Sequence, residues 1–70
     1  MNKNQIGQIV QQRREILSLK QEDLSEMTGI TSKTIYLIES GKGNPSLETL
    51  QKLLEVLGLE ILIDVKKIVE

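Results

Sequence analysis

Residues 21–41 read QEDLSEMTGITSKTIYLIESG, and this run decides the architecture. It describes two short helical stretches separated by one glycine. The first begins near Gln21, with Glu22 and Asp23 in its opening turn, where the positive end of a helix favours acidic groups. Gly29 ends it as a residue able to take the left-handed conformation. Thr31 then offers a side-chain oxygen suited to cap the next helix, and Ile30 and Ile35 stand where a hydrophobic staple places its two residues. That second stretch carries Ile35, Ile38 and Glu39 at i, i+3, i+4 spacing, which puts them on one face. Gly41 stops it.

Upstream, Ile6, Ile9, Val10, Ile16 and Leu17 fall on one helical stripe and predict a preceding helix. Downstream, Asn44-Pro45 marks a turn and Ser46 caps a last helix bearing Leu47, Leu50, Leu53, Leu54 and Leu57. Gly58 ends that helix, and the pattern changes beyond it. Ile61, Ile63 and Val65 alternate with Leu62, Asp64 and Lys66, the period of a strand built on β-branched residues. Residues 1–58 therefore read as one helical domain and residues 59–70 as a C-terminal strand or tail. A lone strand leaves its backbone unsatisfied, and the chain offers it no second strand. Pairing with a second copy across a two-fold axis would satisfy it and bury Ile61, Ile63 and Val65; the alternative is a strand-like coil, or an extension of the last helix, within one molecule.

Composition sets the outer limits. Seventy residues make one small domain, and a chain of this length buries only roughly 60 % of the surface it exposes when unfolded. It is 39 % hydrophobic and 27 % charged with a net charge of −1, a balance unlike that of disordered segments. The absence of cysteine and histidine removes disulfides, thiolate chemistry, imidazole bases and the usual zinc sites. No acidic loop suggests a carboxylate-only metal site, so no metal or cofactor is expected. Catalysis would need carboxylates, lysine or serine in a cleft, for which this length leaves little room; the chain is not expected to be an enzyme. No apolar run approaches the ~20 residues of a membrane span, and the polar start Met1-Asn2-Lys3-Asn4-Gln5 lacks the apolar core of a signal peptide. A cytoplasmic protein with no membrane partner is the expectation. Residues 1–45 carry six basic and five acidic groups, and residues 46–70 three and five. Any attraction to nucleic acid must then come from local arrangement in the N-terminal part.

One pair of charges breaks the apolar pattern. Steps of four from Ile6 and Val10 land on Arg14, and Glu39 shares the face of Ile35 and Ile38. Two opposite charges on buried faces are costly alone, so Arg14 and Glu39 are expected to pair between the first and third helices.

The run from Gln21 to Gly29-Ile30-Thr31, followed by IESGKGNPSLETL at residues 38–50, closely resembles the Cro/CI-type (XRE-like) helix-turn-helix family. The resemblance covers about residues 4 to 58. It implies an all-α, compact four- to five-helix, lambda-repressor-like fold that binds double-stranded DNA, together with a buried arginine–glutamate pair like the one argued above. By position, Ser32, Lys33 and Leu37 match the base-contacting sites, with Tyr36, the only aromatic residue, beside them. Lysine suits guanine O6 and N7, serine serves any base edge, and leucine can touch a thymine methyl. Gln21 matches the phosphate-bonding residue at the start of the second helix, and Lys42 and Asn44 match a second phosphate-contacting stretch. Arg13, on what reads as the exposed side of the first helix, and Lys20 complete the expected phosphate set. Two departures stand out: Lys20 is a poor N-cap, and Ser25 and Thr28 occupy positions where alanine is common in the family.

A helix-turn-helix followed by one hydrophobic strand is also similar to the HipB-type antitoxins, which pair their strands across a dimer, repress their own operon and bind a kinase-fold toxin. The resemblance thus implies a homodimeric transcriptional repressor on a palindromic operator, with an antitoxin role and a toxin partner as its extension. The competing expectation is a protein-interaction module of the same fold without specific DNA binding.

Overall fold

The computed structural model describes residues 1–67. Four helices are present among them: α1 (Lys3–Ile16), α2 (Gln21–Thr28), α3 (Ser32–Glu39) and α4 (Leu47–Val56). α1, α3 and α4 each start on a side-chain cap that the sequence supplies. Asn2 and Gln5 form a reciprocal box at α1, the Asn2 Oδ1 accepting from the Gln5 amide at 2.9 Å and the Gln5 Oε1 accepting from the Asn2 amide at 2.8 Å. Thr31 and Ser46 accept from the Thr34 and Thr49 amides at 3.2 and 3.1 Å. At α2, where Lys20 has no oxygen to offer, the Asp23 carboxylate accepts the Lys20 N–H at 2.8 Å and takes over part of the capping.

Val10, Leu24, Ile35, Ile38, Leu53, Leu54 and Leu57 form the core, with Ile6, Leu19, Ile30, Leu50, Val56 and Leu59 packed around it. α1 lies mainly on α3, while α2 packs on both α3 and α4. The turn between α2 and α3 passes through Gly29 at φ +76°, which places α3 across α2. Thr28 is buried beside it, and its hydroxyl both donates to the Leu24 carbonyl at 2.7 Å and accepts from the Ile30 amide at 3.2 Å. The polar atom set where alanine is common is therefore fully satisfied and stitches the turn.

Three expectations are corrected. The apolar stripe of α1 is narrower than its spacing suggested: Gly7 and Val10 are buried, but Ile9 and Leu17 are exposed and Ile16 is 70 % exposed. Ile9 stands one residue, about 100° of helix rotation, away from Val10, and Ile16 stands about 120° from it. Leu47, the first residue of α4, is exposed as well. Lastly, no strand occurs among the described residues. Residues 59–67 leave α4 without regular structure, and Ile63 is 94 % exposed. A strand needs a hydrogen-bonded neighbour, and this chain folded alone provides none. Residues 68–70 of the expected tail lie outside the described residues.

The end of α1 carries a local strain. Ser18 has φ +57°, while the Ser18 and Leu19 amides donate back to the Glu15 and Arg14 carbonyls at 2.9 and 3.0 Å, the pattern that glycine usually serves at this position. Ser18→Gly is expected to raise stability by about 0.5–1 kcal/mol, the relief of the left-handed strain exceeding the entropy that glycine adds. Thermal unfolding checks this; an unchanged or lower midpoint would show that Ser18 is not strained.

Candidate nucleic-acid interface

α3 is built to show one side and hide the other. Ile35, Ile38 and Glu39 face inward and are buried. Lys33 and Tyr36 are exposed, Tyr36 to 52 %, and Ser32 and Leu37 are half-buried at the edges of the outer face. Lys33, Tyr36, Leu37 and Ser40 follow i, i+3, i+4, i+7 spacing, so they form one stripe along the helix.

The loop after α3 is fastened to that helix. The Leu37 carbonyl accepts from the Lys42 amide at 3.0 Å, the Gly43 amide at 3.1 Å and the Ser40 hydroxyl at 3.1 Å. Lys42 and Asn44 are exposed on this anchored loop. Lys3, which the sequence did not single out, lines a shallow crevice together with Gly43 and Asn44, so the start of α1 adds a cation beside the loop. The signal that would have found it is tertiary, because Lys3 and Asn44 are joined only by folding.

Behind α3 sits the ion pair. The Arg14 Nε donates to the Glu39 Oε2 at 2.7 Å and the Nη2 to the Oε1 at 2.9 Å, a two-pronged contact. The third guanidinium nitrogen, Nη1, donates to the Leu19 carbonyl at 2.7 Å. The side chains are only 12 % and 4 % exposed. The hydrogen bond to Glu39 holds the Arg14 pKa above its ordinary value, against a lowering by burial. A raised folded-state value means that the contribution is fully present at neutral pH and is lost only as pH climbs through a strongly alkaline range. Glu39 has one further partner: the Gln21 Nε2 donates to its Oε1 at 3.1 Å. The sequence separately indicated Gln21 and the pair, yet gave no sign that they touch. Among the described residues no buried side-chain nitrogen or oxygen lacks a partner.

The expected phosphate set is thus brought together unevenly. Gln21 and Lys20 start α2, with Lys20 exposed and Gln21 linked to α3 through Glu39. Lys42 and Asn44 adjoin the far end of α3. Arg13 departs from the expectation: it is half-buried, and its Nε donates to the Leu57 carbonyl at 2.8 Å. A cation at the C-terminus of α4 satisfies an orphan carbonyl and complements the negative end of the helix, so Arg13 joins α1 to α4 and is not a free surface charge. Ile61, Ile63 and Val65, expected to form a dimer strand, are exposed. No group of three His, Cys, Asp or Glu side chains among the described residues is arranged to hold a metal ion, and no helix there is long and apolar enough to cross a membrane.

The Helix-turn-helix family model matches residues 10–63. The chain is 35 % identical over 57 residues to an uncharacterized HTH-type transcriptional regulator of Methanothermobacter thermautotrophicus, covering 81 % of this chain and 83 % of that protein. It is 38 % identical over 55 residues to the HTH-type transcriptional regulator PuuR of Escherichia coli, covering 79 % of this chain but only 30 % of PuuR. A further HTH-type transcriptional regulator, from Methanocaldococcus jannaschii, is 40 % identical over 48 residues, 69 % of this chain and 73 % of that one. The helix–Gly29–helix core, the outward face of α3 and these relatives agree, and the chain belongs to the XRE-type helix-turn-helix family of transcriptional regulators.

Proposed function

We infer that the chain is a sequence-specific repressor that acts as a homodimer on a palindromic operator. The observation that carries the reading is α3 itself: its inner face is fixed by Ile35, Ile38 and Glu39, while Lys33 and Tyr36 project outward with Lys42 and Asn44 just beyond. A helix held in this way and led by a free N-terminal turn suits the major groove. Lys33, with Ser32, Tyr36 and Leu37, reads base edges there; Lys20, Gln21, Lys42 and Asn44, joined by Lys3, meet phosphates and set the register. One such helix reads only a few base pairs, so specificity calls for two copies about 34–36 Å apart.

The tail is the element that supplies the second copy. Its alternation of Ile61, Ile63 and Val65 with Leu62, Asp64 and Lys66 suits a strand, and its described residues form no strand pairing within their own chain. Pairing of two tails across a two-fold axis answers both facts. The antitoxin role, with a kinase-fold toxin on the flank away from DNA, extends this reading on the tail's resemblance alone.

Selection of bound fragments from random duplex DNA near physiological salt tests the function. Enrichment of a palindrome with half-sites about one helical turn apart supports a dimeric repressor. A folded protein that enriches nothing, and whose partner binding is insensitive to salt, would instead be the interaction module, because phosphate contacts release counterions. In the same assay Lys33→Ala should relax preference at one position by about 1–3 kcal/mol; an equal loss on every sequence would place Lys33 on a phosphate.

Truncation after Glu60 tests the tail. It keeps Leu59, which packs on the core and closes α4 through its amide to the Leu54 carbonyl at 2.8 Å. Sedimentation is expected to show a monomer whose operator affinity falls by at least tenfold, roughly 1.4 kcal/mol. A truncated protein that remains a dimer removes the strand from the reading and leaves the α3 interface standing.

A further inference from the structure

The Glu39 carboxylate accepts three N–H groups: two from Arg14 and one from the Gln21 side-chain amide at 3.1 Å. The Arg14 bonds are accounted for by the cost of a buried charge. The Gln21 bond is not, since the ion pair is already satisfied without it and a half-buried glutamine at a helix start has water available. We propose that Glu39 is a positioning residue for DNA binding, its buried carboxylate fixing the Gln21 amide so that the phosphate contact at the start of α2 is preset before DNA arrives. This rests on the reading above that Gln21 meets a phosphate.

The chemistry gives the bond a direction. A carboxylate accepts only from the nitrogen end of the amide and repels its carbonyl end, so the contact sets which way the group is turned. One Nε2 hydrogen goes to Glu39, and the other remains as a donor. The Gln21 backbone N–H belongs to the first turn of α2, where no intrahelical acceptor exists. Both donors are thereby offered together. An unanchored glutamine samples several rotamers and loses that freedom when a ligand captures it, whereas an anchored one has already lost it. Arg14 is part of the arrangement: its charge cancels that of Glu39, so a carboxylate can stand behind a phosphate contact without repelling the phosphate.

A double-mutant cycle separates this from a purely structural role. The probe is a random-sequence duplex at low salt, where binding is almost all phosphate contact. Gln21→Ala in the otherwise unchanged chain is expected to weaken binding roughly tenfold, the scale of one hydrogen bond to a charged group. Replacing the pair by apolar residues, Arg14→Met with Glu39→Leu, keeps the volume filled, and such replacements are often tolerated. If the variant unfolds cooperatively, its binding should fall by a similar factor, and adding Gln21→Ala should then cost less than about twofold. Loss of the full factor from Gln21→Ala in both backgrounds would leave the phosphate contact intact and overturn the coupling. No loss in either background would overturn the phosphate contact itself, and the proposal with it. A measurement on the unchanged chain, free of DNA, does not depend on how any variant folds. The Gln21 side-chain amide should show an order parameter near that of rigid backbone, about 0.85, and a value below about 0.6 would overturn the proposal.

Discussion

Glu39→Ala is expected to destabilise the domain by roughly 3–5 kcal/mol, the cost of leaving its buried partner charge uncompensated. The geometry sets the size of the effect. Arg14 spends two of its donors on Glu39, and its side chain is only 12 % exposed. Deleting the carboxylate leaves those N–H groups facing α3 without an acceptor, and the Leu19 carbonyl holds the guanidinium by its third nitrogen so that it cannot easily swing out to water. A domain of this length has a stability of only about 4–10 kcal/mol, so the substitution removes a large fraction of it. Urea denaturation measures the change; a shift within about 0.5 kcal/mol, as for a surface substitution, would mean that water reaches the pair. Glu39→Ala also removes the anchor of Gln21, which is why the binding question above uses the apolar pair instead.

Gly7→Ala should destabilise by about 3 kcal/mol, the upper part of the range for forcing extra atoms into a packed contact. Alanine in the middle of a helix ordinarily stabilises it by roughly 0.5–1 kcal/mol relative to glycine, so the expected sign is the reverse of the usual one. The reason lies on α3. A methyl group on Gly7 would stand 2.4 Å from the Ile38 carbonyl oxygen and 2.6 Å from that of Glu39. Both obstacles are backbone, which cannot rotate away as a side chain can. Relief requires α1 and α3 to separate, and that would also stretch the Arg14–Glu39 contact between the same two helices. Gly7→Ala and Glu39→Ala are therefore expected to be non-additive. A gain in melting temperature for Gly7→Ala would show that the two helices can move apart at little cost.

How much of this was legible beforehand can be judged residue by residue. The starts of α3 and α4 were readable because Thr31 and Ser46 bond to amides only three residues ahead. Gly29 was readable because its left-handed φ answers a local need. Arg14 and Glu39 could be paired in advance, since each is a charge at a position where its own helix demanded an apolar residue. The outward stripe of Lys33, Tyr36 and Leu37 followed from the same periodicity. Among the described residues, the failures share a cause of another kind. Arg13 looked like a free cation until its partner was seen to be the Leu57 carbonyl, 44 residues along the chain. Ile16 reads as core from its spacing with Ile9, and it is exposed because it stands about 120° around α1 from the buried Val10.

What the sequence by itself determined is whatever depends on neighbours within about one helical turn: the four helices, their caps, the turn at Gly29 and the inward or outward sense of each residue on α3. Such features rest on hydrogen bonds and side-chain spacing inside a single segment. Only the tertiary structure decided which groups from distant segments would meet: Arg13 with the end of α4, Gln21 with Glu39, Lys3 with the loop at Asn44, and Gly7 with the backbone of α3. Those contacts depend on the distance and angle at which helices cross, and that geometry is set by the packing of the whole core at once.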